Sequence, residues 1–466
     1  MPLDMPRQQD DLLLLASLFL FELSIAVIPM ALYMKGDRSF AVFLPSKPGL
    51  VLCLALGTIV ITGAAIINQY LLNKRLLSRH FSLIVAMNLV TVIVMLVTAE
   101  IAIRAASHRS VEGETVGGVV LSPKTWQTVA QHYRQLIDQR GGDLAYLVYD
   151  DVMGWTTGPN RRSANGLYRS SSEGIRAPEE GMSFPLSTGK TRIALVGDSF
   201  TFGEDVRYEE TWGYFLEKEL GSKFQVLNFG VSGYGVDQMF LRYEKDIRRW
   251  KPEVVIFGFI SHDTVRSMLV YPFLTFPEWD MPFAKPRFIV RDGELTNINA
   301  HPAAPQAIFS VGSILELAAI EYDKGYKQSD WVENVYHQSY LWRRFVSSFP
   351  RWSIERADVT DVALVDVNAS ILKKFVRSAT QAGVIPVVVF FPNKEELERA
   401  SVSPLTKKVL QQSGIAYTDL TSCLLPLNAA DRFVPEHRHY SPQGNALVAN
   451  CLDKVVNEAL SQATKG

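Results

Sequence analysis

Residues Arg192–Phe200 read RIALVGDSF. After its first residue the run is uncharged through Gly197, which suits a strand buried on both faces of a sheet. It ends on Gly197-Asp198-Ser199, so a hydroxyl stands just past the strand's C-terminal end. Working outward, Phe224–Phe229 (FQVLNF), Val254–Phe259 (VVIFGF) and Ile385–Phe391 (IPVVVFF) repeat the apolar pattern, and Ile415–Leu420 is a weaker fifth case. Helical patterns lie between them, at Thr211–Leu220, Val236–Trp250, Val365–Ala382 and Ser441–Ala463. Strands alternating with helices predict an α/β domain, with a five-stranded parallel sheet covered by helices on both faces. Ligands of such sheets bind beyond the carboxyl ends of the strands.

The residues that follow the strands carry the chemistry. After the first come Asp198 and Ser199. After the second come Gly230-Val231-Ser232-Gly233-Tyr234-Gly235, and after the third Ser261-His262-Asp263. After the fifth come Glu436-His437-Arg438-His439-Tyr440-Ser441-Pro442. A serine hydroxyl needs a base to attack a carbonyl, and a histidine needs an acid to fix its tautomer. This set resembles the SGNH, or GDSL-type, hydrolase superfamily of serine esterases and acyltransferases over about 191–460. The resemblance implies a flavodoxin-like α/β/α sandwich, with Ser199 as nucleophile, His439 as base and Glu436 as the acid of an Asp-x-x-His block. It also implies an oxyanion hole from the backbone N–H groups of Ser199 and Gly233, with His262 where the family has asparagine. Two positions depart from the family pattern, Glu436 for aspartate and His262 for asparagine. Ser261 or Asp263 lines the hole instead if the block is offset. His437, two residues from His439, is the alternative base, and Asp198 reads as structural. Glu436, His437 and His439 lack the i, i+4 spacing of helix-borne metal ligands, so neither metal nor cofactor is expected.

The N-terminal quarter differs. The first 105 residues carry 8 basic and 6 acidic residues. Apolar runs at Leu12–Met34, Gly49–Leu72 and Phe81–Ala99 are each long enough to cross a hydrocarbon core of about 30 Å. The expectation is a membrane anchor over 1–106 with three transmembrane helices, at about 12–34, 49–72 and 81–103. Lys74, Arg75 and Arg79 place the second loop in the cytoplasm. The chain after Arg104 is then outside, as an extracytoplasmic (periplasmic) domain of a multi-pass protein. Glu22 reads as a neutral acid hydrogen-bonded to a neighbouring span, for instance to Asn88.

Residues 107–190 read as a juxtamembrane helix, capped at Ser122-Pro123 and running to about Gln139, followed by loop from Tyr149 to Gly189. Residues 191–466 read as the catalytic domain, with an insert at about 264–360. In that insert Asp292-Gly293 signals a hairpin. Tyr271, Phe273, Phe276, Trp279 and Phe283 make it a candidate lid or recognition element. Cys423 and Cys451 are candidates for a disulfide, although a place in the middle of a helix argues against Cys451.

Composition narrows the functional class. With 47 basic and 48 acidic residues the chain lacks the basic excess of a general nucleic-acid binder. Three cysteines exclude a disulfide-built scaffold. A mean hydropathy of +0.06 averages an apolar quarter with a charged remainder. The functional expectation is a membrane-anchored serine esterase that removes acyl groups, above all acetyl, from an envelope glycan or lipid. The alternatives are an O-acyltransferase working beside a membrane partner that exports the acyl group, and a non-catalytic domain that binds glycans or proteins.

Overall fold

The computed structural model describes residues 16–25, 47–73, 79–110, 113–139, 146–185, 189–348 and 361–463. The chain divides into two compact units. One comprises 1–125 with 328–351, the other 126–327 with 352–466. The helix Trp126–Gln139 and the strands after it thus fall in the second unit, and 328–351, part of the expected insert, falls in the first.

In the second unit, Thr191–Gly197 (β1), Phe224–Asn228 (β2), Val254–Phe259 (β3), Ile385–Phe390 (β4) and Thr418–Asp419 (β5) form one sheet, ordered β5-β4-β3-β1-β2. Every pairing is parallel. This is the flavodoxin-like doubly wound order, whose reversal beside β1 opens a crevice at the strand ends. Side chains alternate across the pleat. Ile193 and Leu195 of β1 face one core, with Trp212 and Leu216 of α1 (Trp212–Leu220). Ala194 and Val196 face the other, with Met239 of α2 (Val236–Arg242) and Phe375 of α3 (Val362–Gln381). Val448 and Leu452 of α4 (Pro442–Ala463) complete the first core. Both faces of the sheet are therefore dry, which is why its strands read as unbroken apolar runs.

Several local expectations change. The helix expected from Ser122 begins at Trp126. It is no free-standing stalk, since Trp126, Ala130, Tyr133, Leu136 and Ile137 are buried on one face and Tyr133 stacks on Phe309. The expected loop after Tyr149 contains a two-stranded hairpin, Leu147–Asp150 with Gly154–Thr157. The Asp292-Gly293 hairpin joins Phe288–Arg291 to Glu294–Asn297, and both turn residues have positive φ. Cys423 and Cys451 form a disulfide with Cα atoms 6.5 Å apart. The position of Cys451 in the middle of α4 is no obstacle, because the short helix Thr421–Leu424 packs alongside α4 and brings Cys423 to it.

The expectation of three transmembrane helices is overturned. Among the described residues no helix is long and apolar enough to cross a membrane. Of the first run only residues 16–25 are described as helix, about 15 Å at 1.5 Å per residue; its remainder and the loop residues 74–78 lie outside the described residues. Helices Lys47–Asn73 and Arg79–Ala106 cover the other two runs. Thr58 and Thr62 turn their hydroxyls back onto main-chain carbonyls. Glu100, inside the expected third span, accepts from Arg104, from the Ser339 hydroxyl and from the N–H groups of Tyr340 and Leu341. The end of that helix is thus engaged in polar contacts. The multi-pass topology and the extracytoplasmic placement built on the spans fall with them. One carboxyl oxygen of Glu22 is buried with no hydrogen-bond partner among the described residues, and the side chain of Asn88 lies outside them.

Candidate active site

At the end of β1 the chain turns into a four-residue helix, Ser199–Phe202. Asp198 caps it, its Oδ1 accepting the Phe200 N–H at 2.9 Å. Ser199 therefore stands at the first helical position and is only 5% exposed. The N–H groups of Gly203 and Glu204 both return to the Ser199 carbonyl at 3.0 Å, which folds the next residues back beside the serine. Asp205 follows in the left-handed region, at φ +68°, held by its N–H donating to the Tyr168 hydroxyl at 3.0 Å.

His439 comes from the opposite end of the sequence. Phe433 and Tyr440 bridge across the base of its loop, and the Val434 N–H donates to the His439 carbonyl at 2.9 Å. The imidazole stands edge-on to Phe200, ring centres 5.2 Å apart. Its Nε2 lies 2.9 Å from Ser199 Oγ, and its Nδ1 lies 2.6 Å from Asp205 Oδ2. An ionised carboxylate only accepts, so Asp205 places the ring proton on Nδ1 and leaves the Nε2 lone pair for the serine O–H. Ser199, His439 and Asp205 thus form an unbroken chain.

The electrostatics agree with this arrangement. Burial alone would raise the Asp205 pKa, but the His439 hydrogen bond and the nearby His439 and His437 charges outweigh it and hold the carboxyl below its ordinary value. Burial would lower the pKa of His439. The hydrogen bond to Asp205 and the charges of Glu204, Asp205 and Asp198 outweigh that and raise it above 6.5.

Glu436 is not in this chain. It lies at φ +64° in the turn closed by the His437 N–H on the Val434 carbonyl, and it is exposed. That turn, with Pro435 leading into it, directs the side chain to water, and it is Asp205 that meets the imidazole. His437, the alternative base, lies on the same carboxylate: its Nδ1 meets the other Asp205 oxygen at 3.1 Å while its ring is half exposed.

Asp205 is only six residues beyond the serine in sequence, but Gly203 and the short helix must reverse the chain before it faces the nucleophile. The pair Glu204-Asp205 after Gly203 was the available signal. Glu204 accepts the Ser232 hydroxyl at 2.7 Å and lies 3.9 Å from His439 Nε2.

Of the third-strand candidates, His262 is the one on the cavity wall. Asp263 is buried, accepting the Ile260 N–H and pairing with Arg266. Ser261 donates to Glu396. Burial, with Arg266 and Arg438 nearby, pushes the His262 pKa down to about 4. The ring is therefore neutral at pH 7 and has one N–H to donate. Gly233 also lines the cavity, at φ +81°, and an added Cβ would come within 3.4 Å of the Trp279 ring. The N–H groups of Ser199 and Gly233 have no acceptor among the described residues.

The cavity over these groups measures about 1,010 Å³, and its walls include Tyr146, Arg161, Arg266, Trp279, Met281 and Arg438. Trp279 brings the expected insert into the site, stacked on Phe276 at 4.1 Å, whereas Tyr271, Phe273 and Phe283 are core residues. Among the described residues no group of three or more His, Cys, Asp or Glu side chains is arranged to hold a metal ion.

The sheet order, the serine capping β1 and the histidine ahead of α4 now stand together. Their arrangement agrees with the one that the sequence's resemblance to the SGNH, or GDSL-type, hydrolases implies. No family model matches the sequence, and no curated protein does. Similar solved structures include a lipase/acylhydrolase from Enterococcus faecalis, 11% identical over 57% of this chain and 95% of its own, with a TM-score of 0.30. A psychrotrophic esterase from Pseudoalteromonas is 9% identical over 58% of this chain and 100% of its own, with a TM-score of 0.31. A two-domain esterase active on acetylated mannans is 14% identical over 60% of this chain and 51% of its own, with a TM-score of 0.29.

Proposed function

We propose that the second unit is a serine ester hydrolase that removes small acyl groups, acetyl above all, from a glycan. The observation that carries this reading is the Ser199–His439–Asp205 chain at 2.9 and 2.6 Å. His439 Nε2 takes the Ser199 proton as Oγ attacks the ester carbonyl. The oxyanion that forms is held by the N–H groups of Ser199 and Gly233 and by the His262 ring N–H. Collapse breaks the bond to the alcohol oxygen, which leaves with the proton from His439, and an acyl-Ser199 ester remains. Water then attacks that ester, giving its proton to His439. The second tetrahedral species releases the carboxylic acid and restores the serine. Asp205 stabilises the imidazolium in both halves. The cavity, at about 1,010 Å³, far exceeds an acetyl group and leaves room for a sugar on the alcohol side.

The test is Ser199→Ala assayed on an activated acetyl ester, together with fluorophosphonate labelling of the native protein. Loss of turnover in the variant, with label on Ser199 of the native chain, is the expected result. Full activity in Ser199→Ala, or no labelling of a folded native sample, refutes it; the latter favours a non-catalytic binding domain. Adding sugar acceptors to the same assay measures transfer against hydrolysis.

A further inference from the structure

Charge is unevenly placed around the cavity. Behind the cavity wall, Asp198 and Asp205 stand next to the nucleophile and its base. Four cations reach the walls, Arg161, Arg266, Lys394 and Arg438, against two lining carboxylates, Glu204 and Glu395. Arg266 is used internally, its guanidinium shared between Asp198 at 3.3 Å and Asp263 at 2.7 Å. Lys394 and Arg438 are exposed and have no carboxylate partner among the described residues. The two lining acids are both engaged. Glu204 accepts the Ser232 hydroxyl, and Glu395 faces Arg399 at 3.8 Å. This basic rim is a local reversal, because the chain from residue 106 onward carries 39 basic and 42 acidic residues. Arg438 also immediately precedes His439, so an exposed cation is tied to the catalytic loop itself.

Building on the esterase reading above, we infer that the mouth selects esters whose alcohol part bears an anionic group, a carboxylate or a phosphate, which Lys394 and Arg438 engage while the acyl group lies over Ser199. The leaving alcohol must exit through the open side of the cavity, where these two side chains stand. An anion on the alcohol meets their field both on approach and when bound, whereas a neutral sugar does not. An anion on the acyl part would instead lie towards Ser199 and the lining carboxylate of Glu204, so the preference is confined to the alcohol side.

The experiment uses the purified full chain and three matched acetyl esters: an O-acetyl methyl glucoside, the corresponding O-acetyl methyl glucuronide, and an O-acetyl glucose 6-phosphate. Acetate release gives kcat/KM at about 20 mM and about 500 mM salt, which span strong and weak screening. The expected result is an anionic-over-neutral ratio of about tenfold at low salt that collapses towards one at high salt. The ratio should also fall in Lys394→Gln/Arg438→Gln. Comparison of the glucuronide with the phosphate shows which anion the rim prefers. Equal or better use of the neutral ester at low salt overturns the inference, and so does a ratio indifferent to salt; neither readout needs a variant to fold. Neutral-ester turnover without charge preference leaves the esterase reading standing. No turnover on any ester, with Ser199 unlabelled by fluorophosphonate, sinks both.

Discussion

Asp205→Asn separates the acid placed by the structure from Glu436, the acid of the sequence block. Asparagine tolerates the left-handed backbone that Asp205 adopts at φ +68°, so the loop survives the change. The hydrogen bond of 2.6 Å to His439 Nδ1 loses its charge. If the amide turns its NH2 to Nδ1, the ring proton moves to Nε2, and the base no longer accepts from Ser199. If it presents its carbonyl, the tautomer holds but the imidazolium loses its counter-charge. With charge centres about 4 Å apart and an effective dielectric near 20, that attraction is about 4 kcal/mol. At about 1.4 kcal/mol per decade, the rate should fall by about 10³. Glu204, 3.9 Å from Nε2, compensates only in part, because its carboxylate also accepts the Ser232 hydroxyl. The assay is kcat/KM on p-nitrophenyl acetate for Asp205→Asn and Glu436→Gln in parallel. Glu436→Gln should remain within about twofold, as expected of an exposed side chain with no hydrogen-bond or ion-pair partner among the described residues. Asp205→Asn within tenfold of the native enzyme, or a hundredfold loss in Glu436→Gln, would refute the assignment.

The other predictions follow from the same site and its supports. His439 must be neutral to act as base, and its pKa is raised, so kcat/KM should rise with pH through a midpoint above 6.5; Asp205→Asn should move that midpoint down, and a native midpoint below 6 would contradict the geometry. His262→Ala should cost about 10²–10³ in kcat, the usual effect of losing one oxyanion donor, whereas His262→Asn should restore much of it; equal rates for both variants would remove His262 from the hole. Gly233→Ala should lower activity, because φ +81° is strained for alanine and relieving that strain displaces the N–H; native-like kinetics would contradict this. Reduction of Cys423–Cys451, which closes a separation of 28 residues, should lower unfolding stability by about 3.5 kcal/mol on the chain-entropy account; an unchanged urea midpoint under reductant would count against the bridge.

Much of this protein could be read directly from its sequence, because some features are local. A strand buried on both faces has to be apolar throughout, so β1 to β4 announced themselves, and with them the parallel sheet. Ser199 and His439 were legible because each adjoins a strand or helix whose boundary the sequence marks. Apolar runs, by contrast, record only that surface is hydrophobic. They did not show where polar groups such as Glu100 find partners. Glu436 also sits at the family's spacing from His439, but spacing along a chain does not tell which way a side chain points. A turn with positive φ sends Glu436 to water, and another holds Asp205 against the imidazole. The pairing of Cys423 with Cys451, the His262 ring on the cavity wall and the two cations at its mouth are of the same kind. Composition and periodicity determine which segments must be buried. Only the tertiary structure decides which polar atoms then meet, because a hydrogen bond depends on ångströms and on direction, and a linear sequence records neither.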